Sequence, residues 1–404
     1  MPSPFPVGPT SCTIALVSHQ DRNLAIFRRE LIQALTTAGA RVIAVVPQGP
    51  DTTALARLGV EVRHYPFIRG NYWSPWAART SITTLKAIFA ELRPDLIHSF
   101  THQPNLLTRL ARPRNVPVVN SVTGLGAAFI SRGLKGFIQR FVVSSLYLIS
   151  SNRCQAIIFQ NDDDRSTFRF WHLTGGSLVV TIRGSGVDLA RFRPSLLNVE
   201  ARYSARATLG LTPEHVVVTM AGRLLYNKGI RELLLSARAL ANICRNMRIL
   251  LVGDIDPGNP HSLIHQDLAN ISRLNNIILT GWQEDMPRIW WLSDIAVLPS
   301  YREGLPVSLQ EALASGLPVV TTTAPGCRDV GNCLENETAH ALLVPPGQWL
   351  PLAYVLYILV KTPALRTKIG AAARRKAEHS FNATVLAAEH LALYLRLLKR
   401  LTFV

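Results

Sequence analysis

Cysteine is scarce in this chain. Cys12, Cys154, Cys244, Cys327 and Cys333 are five in 404 residues, too scattered for a metal site and too few for a disulfide scaffold, so a reducing cytoplasm is the expected setting. Acid is scarce as well: 26 Asp and Glu stand against 43 Lys and Arg, a formal charge of +17 that draws the surface to something anionic. No apolar run reaches the ~20 residues a spanning helix needs. The Pro-rich stretch Met1–Pro9 has neither the basic nor the apolar region of a secretory signal, so none is expected. Low-complexity tracts and solenoid-period repeats are missing too. Only 17% of residues are charged and 48% are hydrophobic, which excludes a disordered chain, and the length suits two domains.

What the chain does have is alternation. Apolar, β-branched runs alternate with helical patterns throughout, the signature of parallel sheets with crossover helices. The first half predicts strands at 13–18, 41–47, 60–67, 96–100, 116–123, 156–161 and 179–182. The second predicts them at 215–221, 248–253, 276–281, 295–300, 319–322 and 341–344. Between the halves, Gly184-Ser-Gly-Val-Asp188 with Phe192, Arg193 and Pro194 reads as a linker. The expected domains are therefore 1–186 and 187–382. A last helix, about 383–404 and bearing Arg396, Lys399 and Arg400, is expected to pack back on the first domain. Ligands of doubly wound sheets bind at the carboxyl ends of strands, so two such domains are expected to face each other across a cleft.

The most informative segment is Tyr301-Arg-Glu-Gly-Leu-Pro-Val-Ser-Leu-Gln-Glu-Ala-Leu-Ala-Ser-Gly-Leu-Pro-Val-Val-Thr-Thr-Thr323. A strand before it, Pro306 at a first helical position and Gly316 as the stop place Glu303 in a loop and Glu311 about a turn inside a short helix. The amides of Gly304 and Leu305 are expected exposed at the helix N-terminus, where phosphate is attracted. Two carboxylates beside a diphosphate would repel it, so they are assigned to hydroxyls: ribose on one side, the transferred sugar on the other.

Gly222-Arg223-Leu-Leu-Tyr-Asn-Lys228-Gly229 follows another strand and places Arg223 and Lys228 where fixed cations could meet charge developing on a departing diphosphate. Asp162-Asp163-Asp164 invites a Mg²⁺ or Mn²⁺ reading, but at the start of a helix it reads more simply as capping and dipole complementation, so no metal is expected. From Ser131 to Arg153, Arg132, Lys135 and Arg140 punctuate a strongly apolar run. The run reads as well as an interfacial membrane helix as it does as a core helix with a basic outer face. Nucleic acid is the other partner the charge permits, but the aromatic-basic interleaving it uses is missing, so it is not expected.

With these motifs the chain resembles the retaining glycosyltransferases of family four, which have the GT-B fold of two Rossmann-like domains. Glu303 and Glu311 match that family's E-x7-E, Gly222 to Gly229 its G-R-x4-K-G, Gly186-Val-Asp188 with Phe192 and Pro194 its linker, and Pro299-Ser300 with Glu303-Gly304 its P-S-x-x-E-G. Arg93-Pro-Asp95-Leu-Ile-His98-Ser-Phe-Thr101 with Pro104-Asn105, Asn120 to Gly126, Pro325-Gly326-Cys327-Arg328-Asp329 and the first loop Ser18–Leu24 are similar to the bacterial subgroup extending undecaprenyl-diphosphate-linked glycans.

The resemblance implies a donor that is a UDP-linked sugar, an N-acetylhexosamine by analogy, and a lipid-diphosphate-linked acceptor at the cytoplasmic face of an anionic membrane. It also implies transfer by front-face displacement without a metal or other cofactor. Glu303, Arg223 and Lys228 are then catalytic; Glu311, Gly304, Leu305, Gly222 and Gly281 bind the donor. Thr123, Gly124, Gly126 and His98 lie on the acceptor or sugar side, although a lone His at a strand end is more often packed. Arg132, Lys135 and Arg140 face the membrane. Many family members carry a His where this chain has Val122-Thr123-Gly124. A nucleotide-sugar epimerase of the same fold is the competing enzyme; a basic nucleic-acid-binding protein is the competing non-enzyme.

Overall fold

Continuous β-branched runs such as Thr13-Ile-Ala-Leu-Val17 form strands buried on both faces, as parallel strands under helices must be. In the computed structural model, residues 12–67, 74–126, 133–195, 197–332 and 339–399 are described. Expectations placed on Met1–Pro9, Arg132, Cys333, Arg400 and Leu401 lie outside the described residues, as does the side chain of Lys135.

Thr13–Val17 (β1), Arg41–Val46 (β2), Glu61–His64 (β3), Leu96–Phe100 (β4), Val118–Val122 (β5), Ala156–Phe159 (β6) and Leu178–Thr181 (β7) make one parallel sheet, ordered β3-β2-β1-β4-β5-β6-β7. Val216–Ala221 (β8), Met247–Val252 (β9), Ile277–Gly281 (β10), Ile295–Leu298 (β11), Val319–Thr322 (β12) and Ala341–Val344 (β13) make a second, ordered β10-β9-β8-β11-β12-β13. The chain divides into a unit of residues 1–185 with 383–404 and a unit of residues 186–382. Each is Rossmann-like, and together they match the GT-B architecture.

Side chains on these strands alternate between two cores. Ile14, Leu16, Val42 and Ala44 enter one face of the first sheet, Ala15, Val17, Ile43 and Val45 the other. Helix Ala383–Lys399 lays Leu386, Leu393, Tyr394 and Leu397 onto the first of these faces. The closing segment thus completes the core of the unit the chain began with.

Strands β3, β6 and β11 end earlier than their sequence implies. β11 stops at Leu298, not Ser300, because Pro299 has no N–H to give a ladder and the Tyr301 amide donates to the Asn227 carbonyl at 3.0 Å. β3 covers only 61–64 of the expected 60–67. Beyond it the chain turns inward, the Tyr65 hydroxyl donating to the Ser18 carbonyl at 3.0 Å and the Ser81 hydroxyl to the Pro66 carbonyl at 2.6 Å.

The basic and apolar segment forms helix Gly133–Ile149, and its orientation is inverted relative to an ordinary core helix. Gly136, Val143 and Tyr147 are buried, while Leu134, Phe137, Ile138, Phe141, Leu148 and Ile149 are exposed. Arg140 is half-buried. Among the described residues no helix is long and apolar enough to cross a membrane.

Candidate functional site

In a parallel sheet whose strand order reverses, the loops on either side of the reversal part and leave a crevice at the carboxyl ends. In the second unit the reversal falls between β8 and β11. The loop after β8 carries Arg223 to Gly229; the loop after β11 carries Pro299 to Leu305. Sequence motifs 75 residues apart meet there: Lys228 Nζ lies 2.5 Å from Glu303 Oε1, both side chains mostly buried.

Glycine allows this approach. Gly229 has φ +78°, and a Cβ on it would stand 2.1 Å from the Pro299 carbonyl oxygen. Ser300 Oγ and the Tyr301 amide both donate to the Asn227 carbonyl, at 3.1 and 3.0 Å. On the far side, the Glu303 amide donates to the Pro325 carbonyl at 3.0 Å, and a Cβ on Gly326 would lie 2.3 Å from the Glu303 carbonyl oxygen. The two glycine-dependent contacts clamp the Glu303 loop from both sides.

Helix Val307–Ala314 begins one residue later than expected, with Pro306 as its N-cap. Gly304 and Leu305, whose amides are expected to be open at the helix N-terminus, are buried as residues, and the Leu305 side chain packs into the core of this unit. Glu311 sits a turn into the helix, where burial pushes its carboxyl up to about 7, against the opposing pull of the Trp290 indole and Arg191. Trp290 Nε1 donates to Glu311 Oε2 at 3.1 Å. Trp290 is 1% exposed, and its role in holding this carboxylate has no signature in the sequence beyond an apolar helical position. Neighbouring Cys327 is buried, which together with Glu303 pushes its thiol up to about 12 and leaves it an inert packing group.

Arg223 is half-exposed and held by Asp256, Nη1 to Oδ2 2.6 Å. The loop bearing Asp256 is stitched to the loop after β8: the Leu224 amide donates to the Asp254 carbonyl at 2.9 Å, Tyr226 to His261 at 2.8 Å and Leu263 to Leu224 at 3.0 Å. Asp256 is a partner the sequence reading missed. Gly222 and Gly253 bring two backbones into contact at the ends of β8 and β9, a Cβ on Gly253 falling 2.1 Å from the Gly222 oxygen. Gly281 ends β10 at φ +66°, with the following Trp282 amide donating to Asp254 Oδ1 at 3.1 Å.

In the first unit the order reverses between β1 and β4. Beside that point Thr101 has φ +73°, rare for a β-branched residue, and its hydroxyl lies 3.4 Å from His19 Nδ1. Thr123, Gly124 and Gly126 follow β5. The His102 ring lies against this loop, its Cδ2 3.8 Å from where a Cβ on Gly126 would stand, and its Nδ1 pairs with the Tyr147 hydroxyl at 3.0 Å. Burial lowers His102 to about 4, so it is neutral at physiological pH. Sequence reading passed over it; its place directly after a strand at the sheet's reversal is the signal that finds it.

His98 does not take the acceptor-side position. It is fully buried, with Nδ1 bonded to the Tyr394 hydroxyl and Nε2 to Ser121 Oγ at 2.8 Å, and burial holds its pKa well below the ordinary histidine value. A ring enclosed by β4, β5 and the last helix packs the core and touches no ligand.

Asp162, Asp163 and Asp164 form the first turn of helix Asp162–Phe170, and the cap is Asn161, whose Oδ1 accepts from the Asp164 amide at 2.8 Å. Asp162 also pairs with Arg165 at 3.0 Å. Among the described residues no group of three His, Cys, Asp or Glu is arranged to hold a metal ion.

The linker joins the second unit through its own side chains. Val187 and Phe192 enter that unit's core, and Arg374 donates to the carbonyls of Leu189, Phe192 and Ala314.

Residues 24–184 match the family described as glycosyl transferase 4-like domain, and residues 215–361 match glycosyl transferases group 1. The chain belongs to these glycosyltransferases. Among similar sequences, the N,N'-diacetylbacillosaminyl-diphospho-undecaprenol alpha-1,3-N-acetylgalactosaminyltransferase of Campylobacter jejuni is 29% identical to this glycosyltransferase over 391 residues, 96% of this chain and 99% of the relative. The UDP-Gal:alpha-D-GlcNAc-diphosphoundecaprenol alpha-1,3-galactosyltransferase of Escherichia coli is 27% identical over 268 residues, 65% of this chain and 66% of the relative. Its fold is shared with sucrose-phosphate synthase of Thermosynechococcus elongatus (TM-score 0.78, 20% identity, 96% of this chain and 100% of the other). It is also shared with Anabaena HepE, solved in complex with UDP (TM-score 0.73, 16% identity, 95% and 99%).

Proposed function

We propose that this glycosyltransferase moves a sugar from a UDP-linked donor, an N-acetylhexosamine by analogy with the Campylobacter relative, to an undecaprenyl-diphosphate-linked glycan at the cytoplasmic face of the membrane. The observation that carries the reading is the Lys228–Glu303 pair at the β8/β11 reversal, with Arg223 on the same loop as Lys228 and Glu311 in the helix that follows Glu303. The printed activities of the two relatives support the acceptor class, and the UDP complex of HepE supports the nucleotide.

In this reading Lys228 and Arg223 meet the diphosphate as its bond to the sugar breaks. Fixed cations aimed at developing charge stabilise the transition state more than the ground state. Glu303 accepts from hydroxyls of the transferred sugar, and its contact with Lys228 keeps the cation near the bond that breaks. Glu311 accepts from the ribose. Retention in this reading follows from front-face displacement: the acceptor hydroxyl attacks the anomeric carbon on the side the diphosphate leaves, and a diphosphate oxygen takes the proton. No metal enters this scheme. Thr123, Gly124, Gly126 and His102 form the acceptor-side wall. The outward apolar stripe of helix Gly133–Ile149 lies in the membrane interface with Arg140, which favours the interfacial reading of that helix over the core reading.

Incubating the purified chain with a panel of nucleotide-sugars and a short-chain undecaprenyl-diphosphate glycan analogue should give lipid-linked product with one donor and preserve its anomeric configuration. An inverted product, or none with any donor, overturns the reading. Hydrolysis or epimerisation without acceptor points to another enzyme.

Glu311 gives the donor step a pH dependence. Its folded, unliganded pKa of about 7 means that below that pH the carboxyl is protonated. Ribose hydroxyls donate to the ionised form, so donor binding releases a proton and affinity rises with pH. Titration calorimetry should show donor affinity falling by up to about tenfold per pH unit below pH 7 and level above it, the linkage expected for one group. In Glu311→Gln that slope should vanish; an unchanged slope removes Glu311 from the ribose.

A further inference from the structure

Helix Gly133–Ile149 is not the only apolar element turned outward. Phe170 and Trp171, at the end of helix Asp162–Phe170, are 78% and 47% exposed, their rings 5.9 Å apart edge to face. Adjacent Phe168 is fully buried against Tyr147 of the first helix, ring centroids 5.0 Å apart, so the two helices are packed together near their ends. Farther along, Gly175 lies against Ser151, close enough that a Cβ would come within 2.6 Å of the Ser151 Cβ. The exposed pairs Leu148-Ile149 and Phe170-Trp171 therefore flank one junction.

Charge around this junction is of one sign. From Leu96 to Asn161 the sequence holds seven Lys and Arg and no Asp or Glu, and from Arg165 to Gly186 again no acid. Arg153 and Arg169, beside the two pairs, are exposed. The acids of the second helix sit in its first turn, at the opposite end. Contiguous exposed apolar surface marks an interaction site. An acid-free rim with an outward Trp fits a bilayer with anionic headgroups, where aromatic rings settle at the polar boundary and basic side chains reach the phosphates.

We propose that Phe170 and Trp171 form a second membrane anchor, inserting beside the stripe of helix Gly133–Ile149 into an anionic lipid surface. The anchor rests on the reading of a membrane-bound acceptor and adds to it the residues that fix how the first unit lies on the bilayer. Two contacts from separate helices set an orientation where one helix would leave rotation free.

The test is sedimentation of the full chain with vesicles of phosphatidylglycerol and phosphatidylethanolamine, against vesicles of phosphatidylcholine. The parent should partition to the anionic vesicles, and Phe170→Ser with Trp171→Ser should lower the partition coefficient about tenfold or more, as expected for two large apolar side chains kept in water. Lipids brominated on the acyl chain should quench tryptophan emission in the parent and less in Trp171→Phe, a substitution that conserves size and an aromatic ring. Equal partitioning of parent and double variant, or equal quenching in parent and Trp171→Phe, overturns the anchor. So does binding of the patch to a protein with no affinity for vesicles. Transfer to the short-chain acceptor keeps the two readings apart: the double variant should retain it, whereas failure of the parent to transfer sinks the proposed function and leaves the vesicle result standing.

Discussion

Replacing Lys228 by alanine is expected to lower turnover by about 10²-fold or more, the scale found when one fixed donor is removed from developing charge. Lys228 is the cation placed 2.5 Å from Glu303 at the sheet's reversal, with little of either side chain exposed. Its removal acts twice: the departing diphosphate loses a positive partner, and Glu303 becomes a sheltered carboxylate without a counterion that would repel the same diphosphate. Lys228→Arg should recover only part of the loss, because a planar guanidinium does not reproduce a compact ammonium in a space closed by Gly229 and Pro299. Stability should fall by less than the ~3–5 kcal/mol seen on breaking a fully buried pair, since some solvent reaches both groups. Single-turnover measurement with saturating donor separates chemistry from binding, and an undiminished rate in Lys228→Ala would remove Lys228 from the reaction.

Gly229→Ala should be among the most damaging single-methyl changes in the second unit. The left-handed backbone at φ +78° costs an L-residue about 1–2 kcal/mol. The new Cβ would fall 2.1 Å from the Pro299 carbonyl oxygen, and relieving that overlap costs about another 1–3 kcal/mol. At about 2–4 °C per kcal/mol for a domain of this size, the melting temperature should drop by roughly 4 °C at least. Activity should fall further than stability explains, because Pro299 leads into the loop that holds Glu303. Gly210→Ala is the internal comparison, with φ +69° in the same unit but nothing within 4 Å of its Cβ. If calorimetry shows the two variants equally destabilised and assays show them equally active, the close approach does not organise the site.

Much of this architecture was legible beforehand. Every one of the strands expected in the two halves is present, because most are short β-branched apolar runs bounded by turn residues, the form taken by parallel strands covered on both sides. Trimming at β3 and β11 came from hydrogen bonds that no local pattern encodes: Pro66 and Pro299 sit where the chain leaves the sheet, and the carbonyls that receive it belong to distant loops. His98 shows the other limit. At a strand's carboxyl end it reads as a ligand contact, yet the last helix, almost 300 residues later in the chain, brings Tyr394 over it and closes it in. His102, four residues on, had no motif to announce it and lies against the Gly124–Gly126 loop.

By itself the sequence determined the number of strands, their places along the chain and the residue types at the second sheet's reversal, since these depend on side-chain period and chemistry carried within a few residues. Tertiary structure alone decided that Lys228 meets Glu303, that burial raises the Glu311 carboxyl against the pull of Trp290, that Asp256 holds Arg223, and that the apolar side of helix Gly133–Ile149 faces outward. Each of those depends on which segments are neighbours in space. Desolvation and pairing act through distances of a few ångströms, and a linear string does not contain them.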